Sequence, residues 1–352
     1  MDTNKNRLLS KKSFWAGLLL AQFLLFFIFS KIDFIIRLIE SFFEFQKAFH
    51  QKLFARVPFS VGDGFYILLI VYFIYLIVNL IRSKSRNTYW LKALKLLNII
   101  YFVYQIFWGL LYFQKPLIKN LPEREPNLDE AKSLALKYLD KCQQTRKSVK
   151  EDRNGVFKIY NHKSIENEIL KKQNELPYNF SKKRGPQINA FKGSLFSYVM
   201  SYTGIYGYYN PFTAEAQYNP NLPSNQLPFT LAHESAHQLG YAREQEASFI
   251  GYLIGINAEN PELRYSTEYF VLKSLLNYIS NEDEYFSKQV INAFSPAMKR
   301  DYHYEKNFSM KHSGLLDTFF GITNNLFLKT NQQEGSITYS YFTELLLRYE
   351  IK

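Results

Sequence analysis

The sequence predicts an α+β protein: three N-terminal transmembrane helices followed by a mostly helical domain with a small β-sheet. Three observations predict it. The first third holds three long uncharged apolar runs, basic residues cluster beside those runs, and beyond residue 127 apolar residues recur at helical spacing around one aromatic, β-branched stretch.

The runs are Ser13–Ser30, Gly64–Ile81 and Leu96–Gln114, with 18, 18 and 19 residues and no charge. At about 1.5 Å per residue each reaches roughly 27 Å, close to the hydrocarbon thickness of a bilayer. The first is preceded by Lys11 and Lys12 but followed by FSKIDFIIRL, without a small-residue cleavage pattern, so it reads as an uncleaved anchor. Lys5, Arg7, Lys11 and Lys12 precede span one, and Arg82, Lys84, Arg86, Lys92 and Lys95 join spans two and three with no acid among them. Both segments are expected in the cytoplasm, which places the first loop and everything after Gln114 outside. Within that loop Ile35, Leu38, Ile39, Phe42, Phe45, Phe49 and Leu53 recur at helical spacing opposite Arg37, Glu40, Glu44, Lys47 and Lys52. This is an amphipathic outer helix, lying in the interface or packed on the protein.

At 352 residues and 47% hydrophobic content the chain can bury a sizeable core, which excludes disorder. A single cysteine, Cys142, excludes an intramolecular disulfide. The net charge of +12 suggests nucleic acid until it is divided: residues 1–120 carry 16 basic and 5 acidic residues, residues 121–352 carry 27 and 26. The excess belongs to membrane topology, and no nucleic-acid partner is expected.

Pro116, Pro122 and Pro126 mark a linker over 116–127, separating a membrane domain (1–115) from an outer domain (128–352). Asn127, with Glu130 three residues on, caps a helix running to about Arg146. A strand candidate (Val156–Tyr160), a helix near Ile165–Leu176 and a solvated loop at Lys182–Arg184 follow. Leu195–Tyr209 and Thr213–Tyr218 read as strands. Helices are expected at Phe229–Leu239, Glu244–Ala258, Ser266–Ile279, Glu284–Phe294, Ser313–Leu326 and Thr338–Arg348.

The chemistry lies in Pro228–Leu253, which contains His233-Glu234-x-x-His237. On a helix, residues i and i+4 share a face, so both imidazoles can reach one metal, with Glu234 about 100° round beside a bound water. Zinc held by neutral imidazoles lowers the pKa of its water to about 7, and an adjacent carboxylate can take the proton. The helix breaks at Gly240 and a second opens at Glu244, whose first turn can bring another carboxylate to the pair; Glu244 or Glu246 can serve, by phase.

These residues resemble the zincin metallopeptidases with two histidines and a glutamate as ligands, the gluzincins. By that resemblance the outer domain is zincin-like, His233, His237 and Glu244 hold Zn²⁺, and Glu234 is the general base. Glu244-Gln-Glu-Ala247-Ser248 is similar to their Glu-x-x-small-Asp/Asn: Ala247 lets the helices approach, and Ser248 replaces the acid or amide that orients the first histidine. The spacer from His237 to Glu244 is shorter than in most gluzincins and close to the compact metzincin pattern, with Arg243, which cannot ligate, at the third-histidine position. Glu215 lies where zincins often have a substrate-pairing strand and reads as structural. Tyr339, His303 and His312 are candidates for steadying an oxyanion. The longer pattern, YYNPFTAEAQ through HESAHQLGYAREQEASFIGYL behind three spans, resembles a family of bacterial membrane proteins labelled as a domain of unknown function.

The expectation is a multi-pass, membrane-anchored zinc metallopeptidase with an extracytoplasmic domain that hydrolyses peptide or protein substrates. Its rival is a zinc-binding membrane scaffold or sensor without hydrolysis.

Overall fold

The computed structural model describes residue 9 and residues 11–125, 127–180, 188–330 and 341–351. Lys5, Arg7, Pro126, Lys182–Arg184 and Tyr339, all used above, lie outside the described residues.

Among the described residues three helices are long and apolar enough to cross a membrane: α1 (Lys12–Phe29), α3 (Val61–Arg82) and α4 (Arg86–Phe107). Helix α4 packs between the other two. Asn98 of α4 accepts from Gln22 Nε2 of α1 at 3.2 Å and donates to the Trp15 carbonyl at 3.0 Å. Outward-facing residues such as Phe27, Leu68, Val71 and Ile81 are exposed, an apolar surface of the kind a bilayer covers.

The third uncharged run is not one span. Helix α4 ends at Phe107 rather than Gln114, Trp108 leaves the helical region (φ −147°, ψ −49°), and Gly109–Phe113 forms a 3₁₀ turn. Leu110, Leu111 and Tyr112 are buried in protein. The first half of the run belongs to a helix apolar enough to span a bilayer and the second half is packed in the core, and composition cannot separate them.

Helix α2 (Asp33–Phe54) lies between α1 and α3 in sequence and packs on α4 and the 3₁₀ turn. Ile36, Ile39 and Phe43 are buried there, while Phe34, Leu38, Phe45, Phe49 and Leu53 form an exposed stripe. The helix thus does both things the sequence allowed: one side joins the protein, the other stays apolar and open.

Beyond the 3₁₀ turn Leu117–Asn120 come α5 (Leu128–Thr145), α6 (His162–Gln173), β1 (Phe191–Gly193), α7 (Ser197–Thr203), β2 (Gly207–Asn210) and β3 (Glu215–Tyr218). The expected capping box opens α5: Asn127 Oδ1 accepts from Glu130 N at 2.8 Å. The sheet order is β1-β3-β2, with β1 parallel and β2 antiparallel to β3. Val156–Tyr160 forms no strand; a single bridge joins Glu151 to Phe157.

Leu195–Tyr209 departs most from expectation, because Ser197–Thr203 is a helix. Its hydroxyls bond back to carbonyls, Ser201 to Ser197 O at 3.1 Å and Thr203 to Val199 O at 3.0 Å, and Gly204 ends it at φ +68°. Asp63, in the first turn of α3, accepts from Leu195 N at 2.7 Å and from Ser194 Oγ at 3.0 Å, anchoring the segment just before the helix. Tertiary anchoring overrides a modest β-propensity.

Beyond β3 the described helices are α8 (Leu227–Gln238), α9 (Glu244–Ile256), α10 (Pro261–Ser280), α11 (Glu284–Asn292), α12 (Pro296–His312), α13 (Leu315–Thr330) and α14 (Tyr341–Glu350). Helices α5, α8, α9, α10 and α14 share the main core, including Leu231, Phe249, Ile254, Leu272 and Leu346. Helix α12 was not expected, because it buries acids instead of an apolar stripe. Asp301 takes Arg146 and Tyr265, and Glu305 takes Asn225, Tyr269 and Lys273.

Candidate metal centre

Helix α8 begins with Pro228 in its first turn, where a missing N–H costs nothing, and stops before Gly240, whose φ of +91° suits glycine. The chain turns and re-enters a helix at Glu244, so the first turn of α9 faces the middle of α8. The two helices approach closely because the facing residues are small. Ala247 is fully buried, and a Cβ added at Gly251 would sit 3.0 Å from the backbone nitrogen of His233.

This packing brings His233, His237 and Glu244 together: His233 Nε2 lies 3.2 Å and His237 Nε2 3.7 Å from the Glu244 carboxylate, and one ligand atom from each falls within 4.8 Å of the others. Among the described residues no other His, Cys, Asp or Glu cluster is arranged to hold a metal ion. Burial would raise the Glu244 carboxyl, but His237 and His233 hold it well below the usual carboxylate range. Burial would lower His237, yet Glu244 pushes it up to about 9.

Glu246 is placed elsewhere. Its Oε1 accepts from Leu117 N at 2.8 Å and from Arg243 at 2.9 Å, while Arg243 also donates to the Gln114 carbonyl at 2.7 Å. Gln114 Nε2 in turn donates to the Gly240 carbonyl at 2.9 Å. The two residues in the third-ligand neighbourhood that do not face the histidines fasten the end of the membrane region to the α8–α9 turn.

Ser248 Oγ lies 3.1 Å from His233 Nδ1, within hydrogen-bond reach. His237 Nδ1 is paired with the backbone carbonyl of Tyr241 at 2.6 Å. Trp108, at the end of α4, packs against His237 with ring centroids 5.7 Å apart.

Glu234 is buried beside the pair, and its Oε2 has no hydrogen-bond partner among the described residues. Burial pushes its carboxyl up to about 7, against the opposing pull of His233 and His237. Gly207 of β2 lies directly over it: a Cβ there would come within 2.6 Å of Glu234 Oε1. Sequence reasoning did not place Gly207 at the site, and read Trp108 only as an aromatic near a span end. The signal for Gly207 was a glycine inside a strand-like stretch, which marks close approach of another group.

Glu215 sits on the central strand β3, not at a sheet edge, and its carboxylate accepts from Val61 N at 3.1 Å, Gly62 N at 2.7 Å and Thr213 Oγ1 at 2.9 Å. It is a structural clamp on the start of α3. His303 is exposed, and His312 Nδ1 pairs with the Phe308 carbonyl at 2.8 Å; neither lines the cavity next to the centre. That cavity, about 1410 Å³, is bounded by the centre, by β2, by Tyr66, Tyr104 and Trp108 from the membrane region, and by α13.

A family model described as Protein of unknown function (DUF3810) matches residues 39–347, nearly the whole chain. The chain belongs to the DUF3810 family. The match runs from α2 through α14, so the family's extent takes in two of the three apolar helices as well as the centre. No curated protein and no solved structure matches this DUF3810 chain.

Proposed function

We propose that the chain is a membrane-anchored, zinc-dependent peptidase whose site domain lies outside the cytoplasm. The observation that carries the reading is the convergence of ligand atoms of His233, His237 and Glu244 within 4.8 Å, beside the buried carboxylate of Glu234. Two nitrogen donors and one oxygen donor on packed helices, with a cavity on the remaining side, suit zinc in a catalytic setting. Zinc held by these three residues would supply Lewis acidity, polarising a peptide carbonyl and making water easier to deprotonate.

The chain's own residues do the rest. Glu234 Oε2 is free to accept the proton of the attacking water and to pass it to the departing amine. Ser248 and the Tyr241 carbonyl fix the two imidazole rings. Asn219 N donates to Tyr206 O at 2.8 Å, and alternation along the antiparallel pair turns the N–H and C=O of Gly207 away from β3. That edge can align an extended polypeptide above Glu234. The Lys/Arg-rich segments around Lys11–Lys12 and Arg82–Lys95 support a cytoplasmic location for those ends of the spans, with the site on the opposite side.

Elemental analysis of the detergent-purified protein tests the reading. About one zinc per chain is expected, lost in His237→Ala, and Glu234→Gln should keep the metal while losing turnover. A wild type that holds no zinc after reconstitution overturns the centre. Bound zinc with a silent Glu234→Gln would make the protein a metal-stabilised scaffold or sensor instead.

A further inference from the structure

Helix α13 has two faces of different character. Asp317, Phe320, Gly321 and Asn324 line the cavity beside the metal centre. On the other side Leu315, Phe319, Ile322 and Leu326 are 91%, 59%, 58% and 57% exposed, at spacings that put them on one stripe. Four large apolar side chains in a row exceed the scattered exposure of a water-facing helix.

Helix α13 is linked to the apolar helices through α7. Asp63, in the first turn of α3, holds Ser194 and Leu195; α7 begins two residues later, and α13 packs on α7, with Asp317 against Gly204. Leu195, Tyr198 and Val199 on this bridge are themselves about half exposed or more. Exposed apolar residues thus occur on each link from α3 through α7 to α13. The cavity follows the same path, since Tyr66 of α3 and Tyr104 of α4 share its wall with α13.

We propose that the outer stripe of α13 is seated in the bilayer surface, so that the cavity opens beside lipid and takes polypeptide carried by the membrane. The occupant is lipid because α13 shares the cavity wall with Tyr66 and Tyr104 of helices apolar enough to span a membrane, and carries Lys329 in its last turn, which suits an anionic headgroup layer. The seating is independent of the proposed peptidase activity; the substrate class rests on it.

The experiment uses the full-length protein in vesicles of phosphatidylethanolamine and phosphatidylglycerol. Spin labels are placed by Phe319→Cys and Ile322→Cys, with Leu68→Cys on α3 as a lipid reference and Tyr285→Cys on α11 as a water reference. Native Cys142 is fully buried. Labels at 319 and 322 should collide with oxygen in preference to a water-soluble nickel chelate, as at 68. A ratio equal to that at 285 overturns the seating and assigns the stripe to a protein partner. In the same vesicles, a quenched peptide of mixed sequence is offered free and on a diacyl lipid anchor. Cleavage of the anchored form at least about tenfold faster is expected. Equal or faster cleavage of the free form overturns the membrane-carried substrate. Cleavage of neither, with labels at 319 and 322 in lipid, sinks the peptidase reading and leaves the seating established.

Discussion

The Nδ1 of His237 faces the backbone carbonyl of Tyr241 at 2.6 Å. A carbonyl can only accept, so Nδ1 keeps its proton, and Nε2 is the nitrogen that faces Glu244 and that can bind a metal once it is deprotonated. The turn after α8 thus selects which nitrogen gives up its proton when a metal arrives.

The neighbouring Glu244 carboxylate makes zinc binding a proton-releasing event. His237, pushed up to about 9 by Glu244 despite its burial, is protonated at neutral pH in the metal-free protein. Since its pKa rises on folding, it stabilises the metal-free fold fully below about 6.5 and loses that contribution as pH rises through about 9. Zinc requires the neutral ring, so affinity should climb between these values, by up to about tenfold per unit. Titration calorimetry near pH 7.5 in two buffers of different ionisation enthalpy should report release of roughly one proton. Buffer-independent heats would contradict it.

Gly207→Ala should separate catalysis from metal binding. The new Cβ would lie 2.6 Å from Glu234 Oε1 and 2.7 Å from its Cγ, so the carboxylate must move, whereas a Cβ at Gly193 meets only Pro220 at 3.9 Å. Displacement of about 1 Å at a general base costs on the order of 10²-fold in turnover. Full zinc content with that loss is the expected outcome, with Gly193→Ala as the unaffected control. Wild-type turnover in Gly207→Ala would remove Glu234 from the mechanism.

Glu215→Ala should destabilise the protein without touching the centre. The carboxylate is fully buried and satisfies two amides at the start of α3. Leaving those donors unpaired costs about 2–4 kcal/mol. A lower apparent melting temperature in detergent, with zinc stoichiometry unchanged in the folded fraction, is the result to look for. Unaltered melting would show that the clamp contributes nothing.

Topology can be read by fusing reporters after Gln114. A reporter active only outside the cytoplasm should light up there and stay dark when fused in the connection between α3 and α4. The reverse pattern would invert the orientation inferred from Lys11, Lys12 and Arg82–Lys95.

Most helices and the His233–Glu244 convergence are legible in the sequence because both depend on short-range spacing. Residues at i and i+4 share a face whatever lies elsewhere, and a glycine such as Gly240 ends a helix locally. What escapes has a long-range cause. Ser197–Thr203 is a helix although its residues favour strands, with its entry anchored by Asp63, more than 130 residues earlier. Helix α12 hides because Asp301 and Glu305 are buried with partners from other helices, where periodicity looks for apolar residues. Gly207 matters only through Glu234, which the sheet brings beneath it.

The clamp of Glu215 on Val61 and Gly62 also bears on how the chain can be divided. Expressed from residue 128 onward, the site domain would keep a buried carboxylate aimed at amides that are no longer present, and would lose Leu117 and Gln114 from the α8–α9 turn. Anchor and domain are therefore not exchangeable modules. A soluble fragment would call for Glu215 and Glu246 to be redesigned first, and grafting the domain onto a foreign anchor would meet the same obstacle.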